Sequence, residues 1–328
     1  MRGRRMNKIK VIFFALLMLL GLNAAMADDE MLKPFVLASK GPGTVAAKSE
    51  AAKTALTANG FTIAGTYSPY PSAMILIVTN DELKKNAAES ENGGFGAAQR
   101  VAITKVKNDI QVSFTNPIYM ANGYRMKGDL KTVYASLEKA LGKVEEYGGK
   151  GATAAKMRKY HYMFGMEYFN EPSVLAEYAS HEEALAAVEA GLAAKNEGVS
   201  KVYRIDIPGK KESVFGVAMA GKTGATKVTK EVAPGQDEQF GTMMTGAPEA
   251  DQYIMTNVDF GDIKSTAHLP YEILVVDNKA LALYARFRIA LNFPTLKMMG
   301  SNSFMNIMES PEAIKNTLSK AISVTKAK

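Results

Sequence analysis

Apolar residues alternate with polar ones along Val101, Ile103 and Val106 and again along Ile110, Val112 and Phe114, with Asn108-Asp109 between the two runs. Alternation on both sides of a turn predicts a half-buried antiparallel hairpin. Asn116-Pro117 ends it, and Asp129 is placed to cap a helix with the apolar stripe Leu130, Val133, Leu137 and Leu141. Upstream, Thr44 can cap a helix over 44–59 whose apolar positions include Val45, Ala52 and Leu56, and Gly60 follows where a left-handed C-terminal residue is expected. Strands are predicted at 34–39, 61–67 and 74–78, a turn at 68–72 with Pro69 and Pro71, a short helix at 81–88 and a flexible loop at 89–96.

The same plan recurs downstream. An aromatic and Met-rich segment, 160–169, reads as an opening strand. Ser180 with Glu183 forms a capping box for a helix over 181–195, and Gly198 closes it as Gly60 closes the first. Strands follow at 202–207 and 213–220, then a polar excursion at 221–239. A second hairpin runs 271–276, turns at Asp277-Asn278-Lys279 and continues through 280–291. Asn292-Phe293-Pro294 ends it, and Ser310-Pro311 opens a last helix with the stripe Ile314, Leu318 and Ile322. The fold class expected is therefore α+β, as two tandem copies of a module in which an antiparallel sheet is packed by two helices. The copies are placed at 28–147 and 157–328, with the Gly-rich stretch 148–156 as linker.

Ahead of both modules lie five basic residues (Arg2, Arg4, Arg5, Lys8, Lys10), an apolar run over 11–22 and the small-x-small site Ala25-Met26-Ala27. These are the three parts of a cleavable secretory signal. The run is short of the ~20 residues needed to span a bilayer. The full chain carries 40 basic and 33 acidic residues, a net of +7, but the leader over 1–27 removes five basic residues and no acidic one, which leaves +2. A nearly neutral mature chain gives no electrostatic case for nucleic acid. The absence of Cys excludes disulfides, thiol catalysis, iron–sulfur clusters and covalently attached c-type haem. No later apolar run is long enough to cross a membrane, so the expectation is an exported protein, periplasmic in a Gram-negative cell or fully secreted. Its expected partner is a small molecule or another envelope protein, and it is compatible with a homo-oligomer.

The pattern resembles the bacterial domains of unknown function family 302. The matching elements are a helix ending in Asn59-Gly60-Phe61, an apolar strand before a variable loop, and the run from His268-Leu269-Pro270 through the apolar strand to Asp277-Asn278. Asn116-Pro117 and the closing helices also fit. The second copy departs in having Gly198-Val199 for Gly-Phe and an extra Phe in Asn292-Phe293-Pro294. The resemblance implies a compact, often self-associating α+β fold and no established chemistry.

Candidate chemistry comes from Met, His and two loops. Fifteen of the 19 Met lie beyond the leader, nine of them in clusters at 157–166, 243–244 and 298–308. Thioethers are soft ligands that select Cu(I), and His161 with Met163, joined by Met298 and Met299 from a second segment, is the candidate copper or haem-iron set. Against it stands the ordinary use of Met as a filler of irregular apolar gaps. The three His lack HExxH spacing, and Gly300-Ser301-Asn302-Ser303 does not complete a nucleophile elbow. The loop after the first hairpin offers Tyr119, Asn122, Tyr124 and Arg125, and its counterpart offers Asn302 and Phe304. Such amphipathic loops suit a partner surface or a small-molecule cleft. Three readings follow: a non-catalytic binding protein that requires no cofactor, an envelope copper-handling protein, and an enzyme with a site assembled between the modules.

Overall fold

A computed structural model of the protein describes residues 30–161, 163–221, 226–229, 242–300 and 302–323. The expected leader and most of the 221–239 excursion lie outside the described residues. The architecture is α+β, with two antiparallel sheets of six and five strands.

The larger sheet is built from β1 (Phe35–Gly41), β2 (Thr62–Tyr67), β3 (Ala73–Thr79), β4 (Gln99–Val106), β5 (Asp109–Thr115) and the short β6 (Glu145–Tyr147), in the order β2-β3-β4-β5-β1-β6. Between these strands lie the helices α1 (Val45–Ala58), α2 (Asp81–Glu89), α3 (Pro117–Gly123) and α4 (Lys131–Leu141). Thr44 caps α1 by accepting from the Ala47 amide at 3.1 Å. Gly60, at φ +84°, closes it with Gly60 N–H to Thr57 O and Phe61 N–H to Leu56 O. That is the Schellman pairing, which glycine permits at no steric cost. Helices α1 and α4 cover one face of the sheet.

A connector with the short helix α5 (Ala154–Met157) leads to β7 (Ser173–Glu177), α6 (His181–Ala193), β8 (Val199–Asp206) and β9 (Glu212–Met219). A ribbon of β10 (Thr226–Thr229) and β11 (Thr242–Thr245) follows, then α7 (Asp251–Val258), β12 (Tyr271–Val276), β13 (Lys279–Ala282), α8 (Ala285–Asn292) and α9 (Ser310–Ala321). The five-stranded sheet is ordered β7-β13-β12-β9-β8 and is covered on one face by α6 and α9. Irregularities fall at matching places in the two sheets. One residue is skipped in the pairing of β1 (Ala38) and of β7 (Leu175), and another in β2 (Ala64) and β8 (Val202). The first residues of the two hairpin turns, Lys107 and Asp277, both have positive φ.

The uncovered faces of the two sheets meet. Gly93–Gly96, a 3₁₀ turn before β4, lies on the second sheet, where the Gly94 amide donates to Glu212 Oε1 at 2.6 Å. A Cβ on Gly94 would stand 2.4 Å from Leu274 Cδ1, so a larger residue there would force the Leu274 side chain to shift. Reciprocally, Thr266–His268, the 3₁₀ turn before β12, lies on the first sheet, with Thr266 Oγ1 bonded to Thr104 and Tyr70. The buried apolar residues form one continuous core through both halves.

Several expectations need correction. The hairpin β4–β5 is buried on both faces: its polar side, including Arg100, Thr104, Gln111 and Ser113, faces the second half of the chain instead of water. Among the described residues of the segment expected as a strand at 160–169 there are turns and a single bridge, His161 to Tyr168, and the strand that opens the second half is β7. The long strand expected at 280–291 stops at Ala282, and α8 takes over. Seven of the eight residues of α8 are buried, so no polar face marked it as helix. The loop expected after Asn116 begins as α3, with the Asn116 side chain accepting from the amides of Ile118 and Tyr119. Asn116 thus opens a helix whereas Asn292 ends one, and the two positions are not counterparts. The stretch 148–156 is pinned as well: Leu32 and Ala152 exchange both backbone hydrogen bonds at 3.0 Å.

Candidate functional site

The junction of the two halves carries a cavity of about 690 Å³, built from three pieces of chain. From the first half comes Tyr119, aimed across the junction by the capped start of α3, its hydroxyl donating to Leu291 O at 2.7 Å. From the connector come Lys150, Gly151, Ala152, Lys156, Met157, Lys159, Tyr160 and His161, and from the end of α8 come Ala290 and residues 293–296. Gly149, at φ +119°, holds the connector close to Pro294 and Thr295: a Cβ there would lie 3.1 Å from Pro294 Cγ. Met157, Tyr160, Ala290, Phe293, Pro294 and Leu296 make an apolar wall. Lys150, Lys156 and Lys159 are exposed at its rim, and no carboxylate belongs to the lining. Low-dielectric walls focus the field of such a rim on an entering anion.

A second, smaller recess of about 270 Å³ is lined by Met166, Met298, Met305 and Met308 with Phe304, Tyr284, Pro311, Arg286 and Glu312. Arg286 is held there by Glu167 through two hydrogen bonds of 2.8 and 2.5 Å. The Arg286 hydrogen bond keeps the Glu167 carboxyl below its ordinary range.

A third group is sealed inside. Arg100 Nη2 lies 2.5 Å from Glu272 Oε1, and Tyr203 donates to the same oxygen at 2.5 Å. Burial is the largest single influence and opposes the Arg100 charge, but Glu272 with Tyr203 and Tyr124 together outweigh it and hold the guanidinium protonated. Arg288 donates to the carbonyls of His268 and Pro270 and lies over the Tyr271 ring. Burial first, then the charges of Arg288 and Arg100, push the His268 imidazole well below its usual pKa, so it is neutral. Nearby, burial raises the Asp251 carboxyl to about 7 against the hydrogen bonds from Tyr67 (2.5 Å) and the Met219 amide (2.8 Å).

The residues singled out in the sequence are dispersed among these places. Tyr119 lines the cavity and Phe304 the methionine recess. Asn122 folds back to Ile118 O, and Tyr124 is buried against the Phe169 ring at 5.3 Å. Tyr119 and Tyr124 are buried, so neither stands on an open partner surface. Arg125 bonds Asn170 and lies over Tyr168, and Asn302 is exposed at φ +52°. Of the metal set, His161 belongs to the cavity wall and its Nδ1 is bonded to Met163 O, Met298 belongs to the other recess, and the Met163 and Met299 side chains are exposed. The set is not gathered in one pocket; the recess gathers Met298 with Met166, Met305 and Met308 instead. Lys150, Lys156 and Lys159 carried only a weak sequence signal, three lysines within ten residues of a Gly-rich segment.

Comparison with protein-family models, with curated proteins and with solved structures returns no match for this chain.

Proposed function

We propose that the chain is an exported, non-catalytic binding protein: two tandem copies of one α+β module, resembling domain of unknown function family 302, that hold a small amphipathic anion in the cavity beside their junction. The observation that carries this reading is the cavity's composition, an apolar and aromatic wall under a rim of three lysines with no carboxylate. Its volume of about 690 Å³ suits a small-molecule site. The common strand order and the matching bulges support descent of both halves from one module. The tripartite leader supports export. An enzymatic reading would draw on Arg100, Glu272, Tyr203 and His268, which converge between the sheets. All four are more than nine-tenths buried and none lines the cavity, which favours binding over turnover.

Anilinonaphthalene sulfonate, an apolar ring system bearing one anion, is a direct probe. The mature protein is expected to bind one equivalent with a blue-shifted emission. Changing Lys150, Lys156 and Lys159 together to Glu is expected to weaken binding by about tenfold or more, from exposed charge pairs of ~0.5–1 kcal/mol each. Titration with no saturation, or an affinity untouched by the triple substitution, would refute the proposal.

A further inference from the structure

The methionine recess has a chemistry of its own. The buried methionines of this protein, among them Met120, Met126, Met157, Met219 and Met255, fill the core. Met298, Met305 and Met308 do not: their side chains are 46%, 55% and 71% exposed, yet all three line one recess with Met166. Their placement is fixed by backbone. Phe304 N–H donates to Lys297 O and Met305 N–H to Met298 O, which sets residues 297–298 beside 304–305. The 3₁₀ turn Phe304–Ile307 is locked by a capping box, with Ser303 N–H donating to Asn306 Oδ1 at 2.9 Å. Met305 and Met308 follow three residues apart at this turn, a spacing that puts both on one side. Met166 enters from the opposite segment, in a turn closed by its amide to Met163 O.

The ionic side chains around the recess are paired among themselves, so a cation there would be held by the thioethers. Arg286 is neutralised by Glu167 in a two-bond pair. Glu312, which accepts from Tyr284 at 3.1 Å, is paired in turn with Lys315 at 3.5 Å, so the lining carries no uncompensated charge. Thioethers are soft, uncharged donors that favour Cu(I) over hard or divalent ions. We propose that Met166, Met298, Met305 and Met308 form a binding site for a soft monovalent metal ion, Cu(I) or its surrogate Ag(I). The site is independent of the anion cavity and differs from a His161-centred set in using thioethers alone.

The test is anaerobic titration of the mature protein with Cu(I) in competition with the chromophoric chelator bicinchoninate. One equivalent is expected to leave the chelator, and X-ray absorption of the complex is expected to show sulfur as the sole protein donor. Met305→Leu with Met308→Leu, at exposed positions and nearly unchanged in volume, is expected to keep the fold by circular dichroism and to weaken Cu(I) binding by at least tenfold. His161→Ala and the triple Lys→Glu variant are expected to leave it unchanged. Failure to withdraw Cu(I), uptake indifferent to the double Leu variant, or nitrogen donors in the absorption spectrum would each overturn the site.

Discussion

At the scale of single residues, the charged groups buried between the sheets dominate. Arg100 and Glu272 sit in strands from different halves and are each almost fully buried. Removing one partner of a buried pair strands the other charge in a poorly polarisable interior, which costs ~3–5 kcal/mol. Arg100→Ala and Glu272→Gln are each expected to lower unfolding stability by that order in urea. The pair Arg100→Met with Glu272→Met is expected to lose less than the sum, because no orphaned charge remains. Asp251 gives a pH dependence. Burial lifts its folded value to about 7, above the unfolded carboxylate, so its contribution is complete below about pH 4 and is lost as pH rises through 7. A difference of that size corresponds to ~4 kcal/mol. Asp251→Asn is expected to flatten the fall in stability between about pH 4 and 7, and an unchanged slope would show that Asp251 is ionised in the folded protein. Neither role was legible in the sequence. Arg100 occupies an ordinary polar slot of an alternating strand, and only the second half of the chain turns that slot into interior.

At the scale of elements, the bulged edges of β2 and β8 meet at Gly65. A Cβ there would lie 2.5 Å from Val202 O and 2.9 Å from Tyr203 Cβ, so the two strands touch only because this residue has no side chain. Gly65→Ala is expected to cost about 1–3 kcal/mol through overpacking, whereas Gly41→Ala, with nothing within 4 Å, is expected to change little. Equal thermal midpoints for the two variants would contradict this contact. Some caps were readable: Thr44, Gly60 and Ser180 act as their residue types suggest, whereas Leu130 and not Asp129 stands at the N-cap of α4, and α6 ends at Ala193, ahead of Gly198. Elements buried on every side were not. Ala285–Asn292 carries no polar period and reads as a continuation of β13 until its packing is seen. Positions 160–169 fail for the opposite reason: Tyr160 and Phe169 pack inward, but Met163 and Phe164 are exposed, and the segment mimics a strand in composition alone.

At the scale of the whole molecule, the α+β class was legible because hairpins and capped helices are local patterns. The cavity was not, because Tyr119, Lys156 and Phe293 lie far apart in the chain and share a site only through the meeting of the two sheets. The continuous core and reciprocal 3₁₀ turns make the halves one cooperative body. Thermal unfolding by calorimetry is therefore expected as a single transition; two separable transitions would show independent modules. The binding reading rests on this closure, which holds the apolar wall and the lysine rim in one place. Its most direct test is native mass spectrometry of the protein purified gently from the cells that make it. The account predicts one non-covalently held small anion per chain, released by collisional activation and missing from the Lys150→Glu, Lys156→Glu, Lys159→Glu variant. A wild-type protein that carries only its own mass, or an adduct retained unchanged by the triple variant, would contradict it.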